Sequence, residues 1–182
     1  MVVAHYLKLV FEALTIEHFD SETMGHNILA YKLAQSWLWQ GGILAYYTFH
    51  PFYTGQSWLC FDRPILCLTI VFLFALTELM SLLSNIHLQN IEQYKVLHPK
   101  CNPMLLIPQY HGFAKVSCAN YFWKLCSLAL LALVNNTFVG TINVVWLFIE
   151  LSQKAHRIHY QYVSKYREKY PANRMALIPY LI

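Results

Sequence analysis

The clearest apolar stretch of the chain, residues 65–84, constrains the fold more than any other feature. It reads ILCLTIVFLFALTELMSLLS, which matches the length of about 20 residues that a helix needs to cross a bilayer. The stretch carries a single charge, Glu78, which either faces a polar cavity or a partner, or lies close enough to one end to reach the membrane interface. The pattern predicts a transmembrane helix.

The composition favours further membrane spans. Hydrophobic residues make up 57% of the chain and charged residues 12%, whereas soluble domains carry about 25% charged residues. Three more apolar stretches, residues 28–50, 119–134 and 138–155, are candidate spans. Residues 85–118, which contain three prolines, are interpreted as a long polar loop. We therefore predict an all-α fold, a multispanning membrane helical bundle with about four to five transmembrane helices.

The distribution of positive charge predicts the orientation of these spans. With the spans above, residues 85–118 and the tail after Leu151 fall on the same side of the membrane. The only basic residue in the loop on the opposite side is Arg63, which stands beside Asp62. The shared side carries Lys95, Lys100, Lys115, Lys154, Arg157, Lys165, Arg167, Lys169 and Arg174. Because Lys and Arg concentrate in cytoplasmic loops, we predict that this side, including the C-terminal tail, is cytosolic.

The N-terminal residues 2–16 predict a further helix, mostly apolar but with a polar face. His5, Lys8 and Glu12 have the spacing i, i+3, i+7, which places them on one side of a helix. Two interpretations remain open: an amphipathic helix on the membrane surface, or the end of a transmembrane helix that lines a cavity.

Several familiar kinds of site are missing from the sequence. It has no GxGxxG after a strand and no Walker loop, and no spacing suggests a nucleophilic triad. Its five cysteines include no CxxC pair, which argues against a disulfide framework and a zinc site. His156 and His159 form a lone HxxH, a poor metal candidate. We predict no metal site and no nucleic-acid partner.

The tail combines aromatic, histidine and basic residues on a helical continuation of the last span. Its aromatic and histidine members are His156, His159, Tyr160, Tyr162 and Tyr166. Such residues can bind phosphate and pack on a purine, but an ordinary basic helix that touches anionic lipid has the same composition. Asn120 and Tyr121, likewise, form either part of a polar site or an interfacial anchor.

Three blocks in particular carry a resemblance to a known family: SCANY at 117–121, the basic His/Tyr helix, and YPANRMALIPYLI at 170–182. They resemble the steroid 5-alpha-reductase superfamily and, within it, the very-long-chain trans-2-enoyl-CoA reductases of fatty-acid elongation. HYLKLVFEALTIEHFDSETM at 5–24, AYYTFHPFYT at 45–54 and Asn85-Ile86-His87 are similar to blocks of the same enzymes. The matches occur in order along nearly the whole chain.

The resemblance implies a multi-pass enzyme of the endoplasmic-reticulum membrane that uses NADPH to reduce the trans-2 double bond of very-long-chain enoyl-CoA, the last step of the elongation cycle. Hydride goes to C3, and a tyrosine hydroxyl hydrogen-bonds the thioester oxygen. The implied catalytic residues are Tyr6 and Tyr121. The implied cofactor-binding residues are Asn85, Asn120, His159, Tyr162 and Arg174. The implied partners are long-chain enoyl-CoA, membrane lipid and other elongation enzymes.

The resemblance also implies that residues 1–182 are the C-terminal membrane domain of the family, without its N-terminal ubiquitin-like region and first helices. Two alternatives remain. Lys124 stands where the family usually has Glu, and Leu9 where Arg is common, which leaves a catalytically inactive or truncated relative that acts as a partner in an elongation complex. A reductase of a steroid or polyprenol would share the chemistry and differ in substrate.

Overall fold

The structure is a computed structural model, and its described part covers most of the chain. The described residues are 1–15, 34, 38, 41–42, 44–50, 63–135, 138–171 and 173–179. Five helices lie in these ranges: α1 (Val2–Thr15), α2 (Leu44–Phe49), α3 (Pro64–Leu97), α4 (Ala119–Asn135) and α5 (Phe138–Tyr166). Two short 3-10 helices are added at Pro103–Leu106 and Arg167–Lys169. No strand occurs within the described ranges, so the all-α prediction is confirmed.

Helix α3 contains the predicted span 65–84 but is much longer than it. It begins at Pro64, where a proline is tolerated because first-turn N–H groups have no partner within the helix, and it has 34 residues. The interpretation of residues 85–118 as a loop is therefore wrong for its first part. The polar residues after Ser84 include good helix formers, and the helix stops only at Leu97, two residues before Pro99.

Helices α4 and α5 correspond to the two predicted spans 119–134 and 138–155. α5 continues past the second span to Tyr166 and carries the basic tail as one helix. Among the described helices, α3 alone is long and apolar enough to cross a membrane, and Ala119–Val134 is apolar but shorter. Most of the stretch 28–50 lies outside the described residues, so the number of spans stays a prediction.

The bundle is closed by two loops that pair with each other. α3 packs on α4, and α4 packs on α5. The segment before α4 hydrogen-bonds the segment that follows α5: Ser117 N–H donates to Met175 O at 2.8 Å, and Cys118 N–H donates to Ala176 O at 3.2 Å. Below these bonds a small core forms around Cys118, Ala155, Ala176 and Leu177. Residues 175–177 are thus held against the start of α4.

Helix α1 turns its polar face inward. His5 and Glu12 are buried, whereas Val3, Leu7 and Leu14 are exposed. A helix on the surface of a soluble protein has the opposite arrangement, with its apolar face buried and its polar face exposed. An exposed apolar face with a buried polar face is typical of a helix end that lines a cavity within a membrane. The structure therefore favours the second of the two interpretations of α1.

Candidate active site

Ser117 is the centre of a hydrogen-bond network at the junction of α4, α5 and the C-terminal segment. Its Oγ lies 2.6 Å from His159 Nδ1, 2.7 Å from Tyr170 Oη and 3.1 Å from the carbonyl oxygen of Met175. The serine is 2% exposed. Three segments that are distant in sequence thus meet at one buried oxygen.

The donor and acceptor capacities of these groups assign the protons. The Ser117 hydroxyl has one hydrogen to donate. Of its three partners, only the carbonyl oxygen of Met175 has no hydrogen of its own, so it must receive this one. Ser117 therefore donates to Met175, and its oxygen accepts from Tyr170 Oη–H and from His159 Nδ1–H. This arrangement satisfies every group in the network and leaves Nε2 as the remaining nitrogen of His159.

The surroundings of His159 favour its neutral form. Burial lowers the pKa of His159, and the nearby His156 lowers it further. A neutral imidazole that donates through Nδ1 keeps a lone pair on Nε2, so this nitrogen can accept a hydrogen bond from a ligand hydroxyl or amide.

Three tyrosines form a stack beside this network. The rings of Tyr162 and Tyr170 are nearly parallel, at 7° and 5.9 Å between centroids, and Tyr162 also stacks on Tyr166 at 6.0 Å and 25°. Burial, with smaller contributions from neighbouring groups, raises the pKa of Tyr162 to about 12, and burial also raises the pKa of Tyr166. The stack offers aromatic faces, and the hydroxyl groups of Tyr162 and Tyr166 stay uncharged over the whole physiological pH range.

Arg174 is buried next to the stack, and no described residue is its anionic partner. Its side chain is 5% exposed, and its Cζ lies 5.4 Å from the centre of the Tyr170 ring. Its Nε and Nη1 have no hydrogen-bond partner among the described residues. A buried guanidinium without a counter-charge is costly, so the site is complementary to an anion that offers several oxygens, such as a phosphate.

Tyr121 lies close to this cluster, on the first turn of α4. It packs against the core formed by Cys118, Ala155, Ala176 and Leu177. Asn120 precedes it and is half-buried, as is Asn85 on α3. No side-chain hydrogen bond joins Asn85 or Asn120 to another described residue. The structure thus brings Tyr121 to the segment that carries Arg174, while the roles predicted for the two asparagines stay predictions.

Tyr6 lies at a different level of the bundle. It lines a cavity of about 30 Å³ between α1, α4 and α5, together with Leu128, Asn143 and Leu147. Leu128 follows Tyr121 by seven residues on α4, a separation of about 10 Å along the axis. The structure therefore does not bring the two predicted catalytic tyrosines into contact.

Sequence reasoning missed two residues of the cluster, Ser117 and Tyr170. Both stand in the motif blocks, Ser117 in SCANY and Tyr170 at the start of YPANRM, but neither block indicates a hydrogen bond between them. Within the described part of the chain, no group of three or more His, Cys, Asp or Glu residues could hold a metal ion. The site is thus a polar and aromatic cluster with one buried cation.

The fold and the cluster define a class: an all-α chain with an apolar helix long enough to cross a membrane and an anion-complementary site at the end of its bundle. The chain belongs to the 3-oxo-5-alpha-steroid 4-dehydrogenase family, whose family model matches residues 22–182. The resemblance found in the motif blocks is therefore confirmed.

The chain is also similar to named reductases. The chain is 25% identical to a probable very-long-chain enoyl-CoA reductase of Caenorhabditis elegans, covering 98% of this chain and 56% of the relative. It is 26% identical to a very-long-chain enoyl-CoA reductase of Dictyostelium discoideum, covering 98% and 55%. A steroid 5-alpha-reductase of Arabidopsis thaliana is 30% identical over 76 residues, 42% of this chain and 29% of that protein. The chain spans a little over half the length of the two enoyl-CoA reductases.

Proposed function

We propose that this chain is the membrane part of an NADPH-dependent reductase that reduces the trans-2 double bond of very-long-chain enoyl-CoA in the fatty-acid elongation cycle. The observation that carries the proposal is Arg174, a buried cation with no counter-charge among the described residues, beside a tyrosine stack. Membership of the family and two relatives named as enoyl-CoA reductases support the reaction.

The described residues fit a dinucleotide at this cluster. Arg174 would bind a phosphate, the tyrosines around Tyr162 would contact a ring of the cofactor, and His159 Nε2 would accept a hydrogen bond. Asn85 and Asn120 would supply further amide groups. NADPH supplies a hydride when it is bound. The network of Ser117 keeps His159 in one tautomer, so the site is organised before any ligand arrives.

The two tyrosines would act on the substrate. Reduction of an enoyl thioester places negative charge on the thioester oxygen, and a phenol can hydrogen-bond that oxygen and provide a proton for C2. Tyr121 lies nearer to the Arg174 cluster and is therefore assigned the hydrogen bond to the thioester oxygen. Tyr6, at the cavity between α1, α4 and α5, is assigned the second catalytic position.

The proposed setting is the endoplasmic-reticulum membrane with the tail in the cytosol. The apolar helix α3 and the concentration of Lys and Arg on the side of the tail support it. We further propose that residues 1–182 are the C-terminal membrane domain of such an enzyme, and that membrane lipid and other elongation enzymes are its partners.

The direct test is NADPH oxidation in membranes that contain the chain, with a long-chain trans-2-enoyl-CoA as substrate. Tyr121→Phe removes one hydroxyl and should lower kcat by about a hundredfold, within the usual range for a general acid. Tyr94→Phe is the matched control, because Tyr94 is an exposed tyrosine on the distal part of α3. Equal turnover in the two variants would remove Tyr121 from the mechanism.

A steroid reductase is the second candidate function. The name of the matching family and the Arabidopsis relative favour it. The same membranes should be assayed with a 3-oxo-4-ene steroid, because this substrate also develops charge on an oxygen conjugated with the reduced bond. Faster turnover of the steroid would favour the second candidate. An absence of turnover with either substrate, in protein that binds NADPH, would favour the catalytically inactive relative.

A further inference from the structure

A buried ionic cluster joins α1 to α3 away from the Arg174 site. Glu78 Oε1 lies 2.6 Å from His5 Nδ1, and Glu78 Oε2 lies 2.9 Å from Lys8 Nζ. Lys8 also donates a hydrogen bond to Ser81 Oγ at 3.0 Å and lies 3.3 Å from Glu12 Oε1. Glu78 is thus paired with a partner rather than merely close to the membrane interface.

The cluster is well shielded from solvent. His5 is 3% exposed, Glu12 6% and Ser81 2%. Charges in such a place are held by their partners, and removal of one partner leaves another buried charge uncompensated. The cluster therefore ties α1 to α3 strongly, although the outer face of α1 is apolar and exposed.

The two carboxylate oxygens of Glu78 contact two different residues of α1. His5 and Lys8 are three positions apart, nearly one helical turn, and lie on one face. A carboxylate that holds both of them fixes the rotation of α1 about its axis and its position along α3. A single contact would fix neither, because α1 could pivot about it.

This orientation determines where Tyr6 points. Tyr6 follows His5 directly, the two rings meet edge to face at 5.5 Å, and both residues line the cavity between α1, α4 and α5. We propose that Glu78 is the positioning residue of this cavity: by clamping His5 and Lys8 it holds Tyr6 in place against α4 and α5. The inference deepens the proposed function, on which the catalytic role of Tyr6 rests.

The clamp itself can be tested without any activity. Amide hydrogen exchange of α1 in the detergent-solubilised chain should accelerate by about tenfold or more in Glu78→Ala, because local opening becomes easier when the anchor is lost. Glu150→Ala is the matched control, since Glu150 forms an ion pair of the same 2.6 Å with Lys154 on the exposed face of α5. Equal exchange of α1 in both variants would overturn the clamp.

The position of Tyr6 can be observed directly. With 3-fluorotyrosine at position 6, the ¹⁹F resonance should shift or broaden in Glu78→Gln and stay unchanged in Glu150→Gln. Gln keeps an oxygen for His5 but no charge for Lys8. An unchanged resonance in Glu78→Gln would overturn the proposal, and this result does not depend on whether the chain reduces enoyl-CoA.

A double-mutant cycle links the clamp to catalysis. Glu78→Gln should lower kcat by about tenfold when Tyr6 is present and by less than about twofold in a Tyr6→Phe background, while NADPH affinity stays constant. If the two substitutions lower kcat additively, or if Glu78→Gln weakens NADPH binding as much as it lowers kcat, the role of Glu78 is merely structural. Failure of the wild-type chain to oxidise NADPH would count against the proposed function, and the exchange and ¹⁹F results would still decide the clamp.

Discussion

Ser117 Oγ lies 2.6 Å from His159 Nδ1, although the two residues are 42 positions apart in the chain. The serine lies in the segment just before α4. The histidine lies in the C-terminal part of α5, beyond the apolar half of that helix. Their hydrogen bond connects the SCANY block to the tail helix, and Tyr170 and Met175 complete the connection to the C-terminal segment. The SCANY block, the tail helix and the segment from Tyr170 to Met175 therefore meet in one structural unit.

Loss of the Ser117 hydroxyl should destabilise the fold. Ser117→Ala leaves a buried imidazole N–H and a phenol without their shared partner, and the Met175 carbonyl loses one donor although it keeps the backbone N–H of residue 117. This should cost about 1–3 kcal/mol in the free energy of unfolding. Ser127→Ala is the control: Ser127 is also buried, but among the described residues its hydroxyl donates only to Lys124 O within the same helix. Urea unfolding in detergent measures both. An equal loss in the two variants would contradict the central role of Ser117.

Arg174 should be required for cofactor binding and not for the fold. Arg174→Lys should weaken NADPH binding by about tenfold, because Lys lacks the two-pronged donor geometry. Arg174→Met removes a buried charge that no described residue pairs with, so the unfolding free energy without NADPH should be unchanged or raised by up to about 3 kcal/mol.

Arg157→Met, on the exposed side of α5, is the control for both measurements. Fluorescence titration with NADPH and urea unfolding give the two quantities. NADPH affinity in Arg174→Lys equal to that of the control variant would remove Arg174 from the cofactor site.

The lowered pKa of His159 predicts a loss of stability on acidification. Between the folded pKa and the ordinary value of 6.5, the unfolded chain binds more protons than the folded one, so stability falls as the pH falls through this window. Above pH 6.5 the contribution of His159 to the stability of the fold is fully retained. His159→Asn can keep a donor near Ser117 without titrating, and it should flatten the curve.

The control for this titration is His156→Asn, which removes an exposed histidine of the same helix. Because burial is the larger cause of the shift of His159, most of the pH dependence should remain. Denaturation midpoints measured from pH 5 to 8 test this. A curve that is equally flat in both variants would show that His159 is not the titrating group.

The Tyr162 phenol should titrate only at strongly alkaline pH. Its pKa of about 12 lies above the ordinary value of 10.0, so stability is retained below pH 10 and lost as the pH rises toward 12, where the unfolded chain ionises first. Tyr162→Phe should remove a component near pH 12 from the absorbance titration. The component should persist in Tyr160→Phe, which changes an exposed ring on the same helix. If the component near pH 12 is lost in Tyr160→Phe instead, it does not belong to Tyr162.

The family and the helical class could be predicted from the sequence because both depend on local information. The span 65–84 has the length and composition of a membrane helix, and the blocks SCANY and RMALIP resemble blocks of the family. The boundary of α3 could not be predicted from polarity alone. Residues after Ser84 are polar yet helical, and the signal that ends the helix is Pro99.

The candidate site was predicted less completely. His159, Tyr162 and Arg174 lie around Tyr170, whereas Tyr6 and Tyr121 occupy different levels of the bundle, and the roles that the resemblance implies for all five stay predictions. Ser117 and Tyr170 had no predicted role, because the value of a hydroxyl depends on which groups reach it in three dimensions.

The sequence by itself determined the helical character of the chain, its membrane-like composition and its family, since hydrophobic length, periodicity and motif spacing are properties of contiguous residues. It also placed His5, Lys8 and Glu12 on one face of α1. Only the tertiary structure decided that Glu78, 73 positions after His5, is the partner of His5 and Lys8. Helical periodicity specifies which face a side chain occupies, but the neighbour across that face depends on how the helices pack.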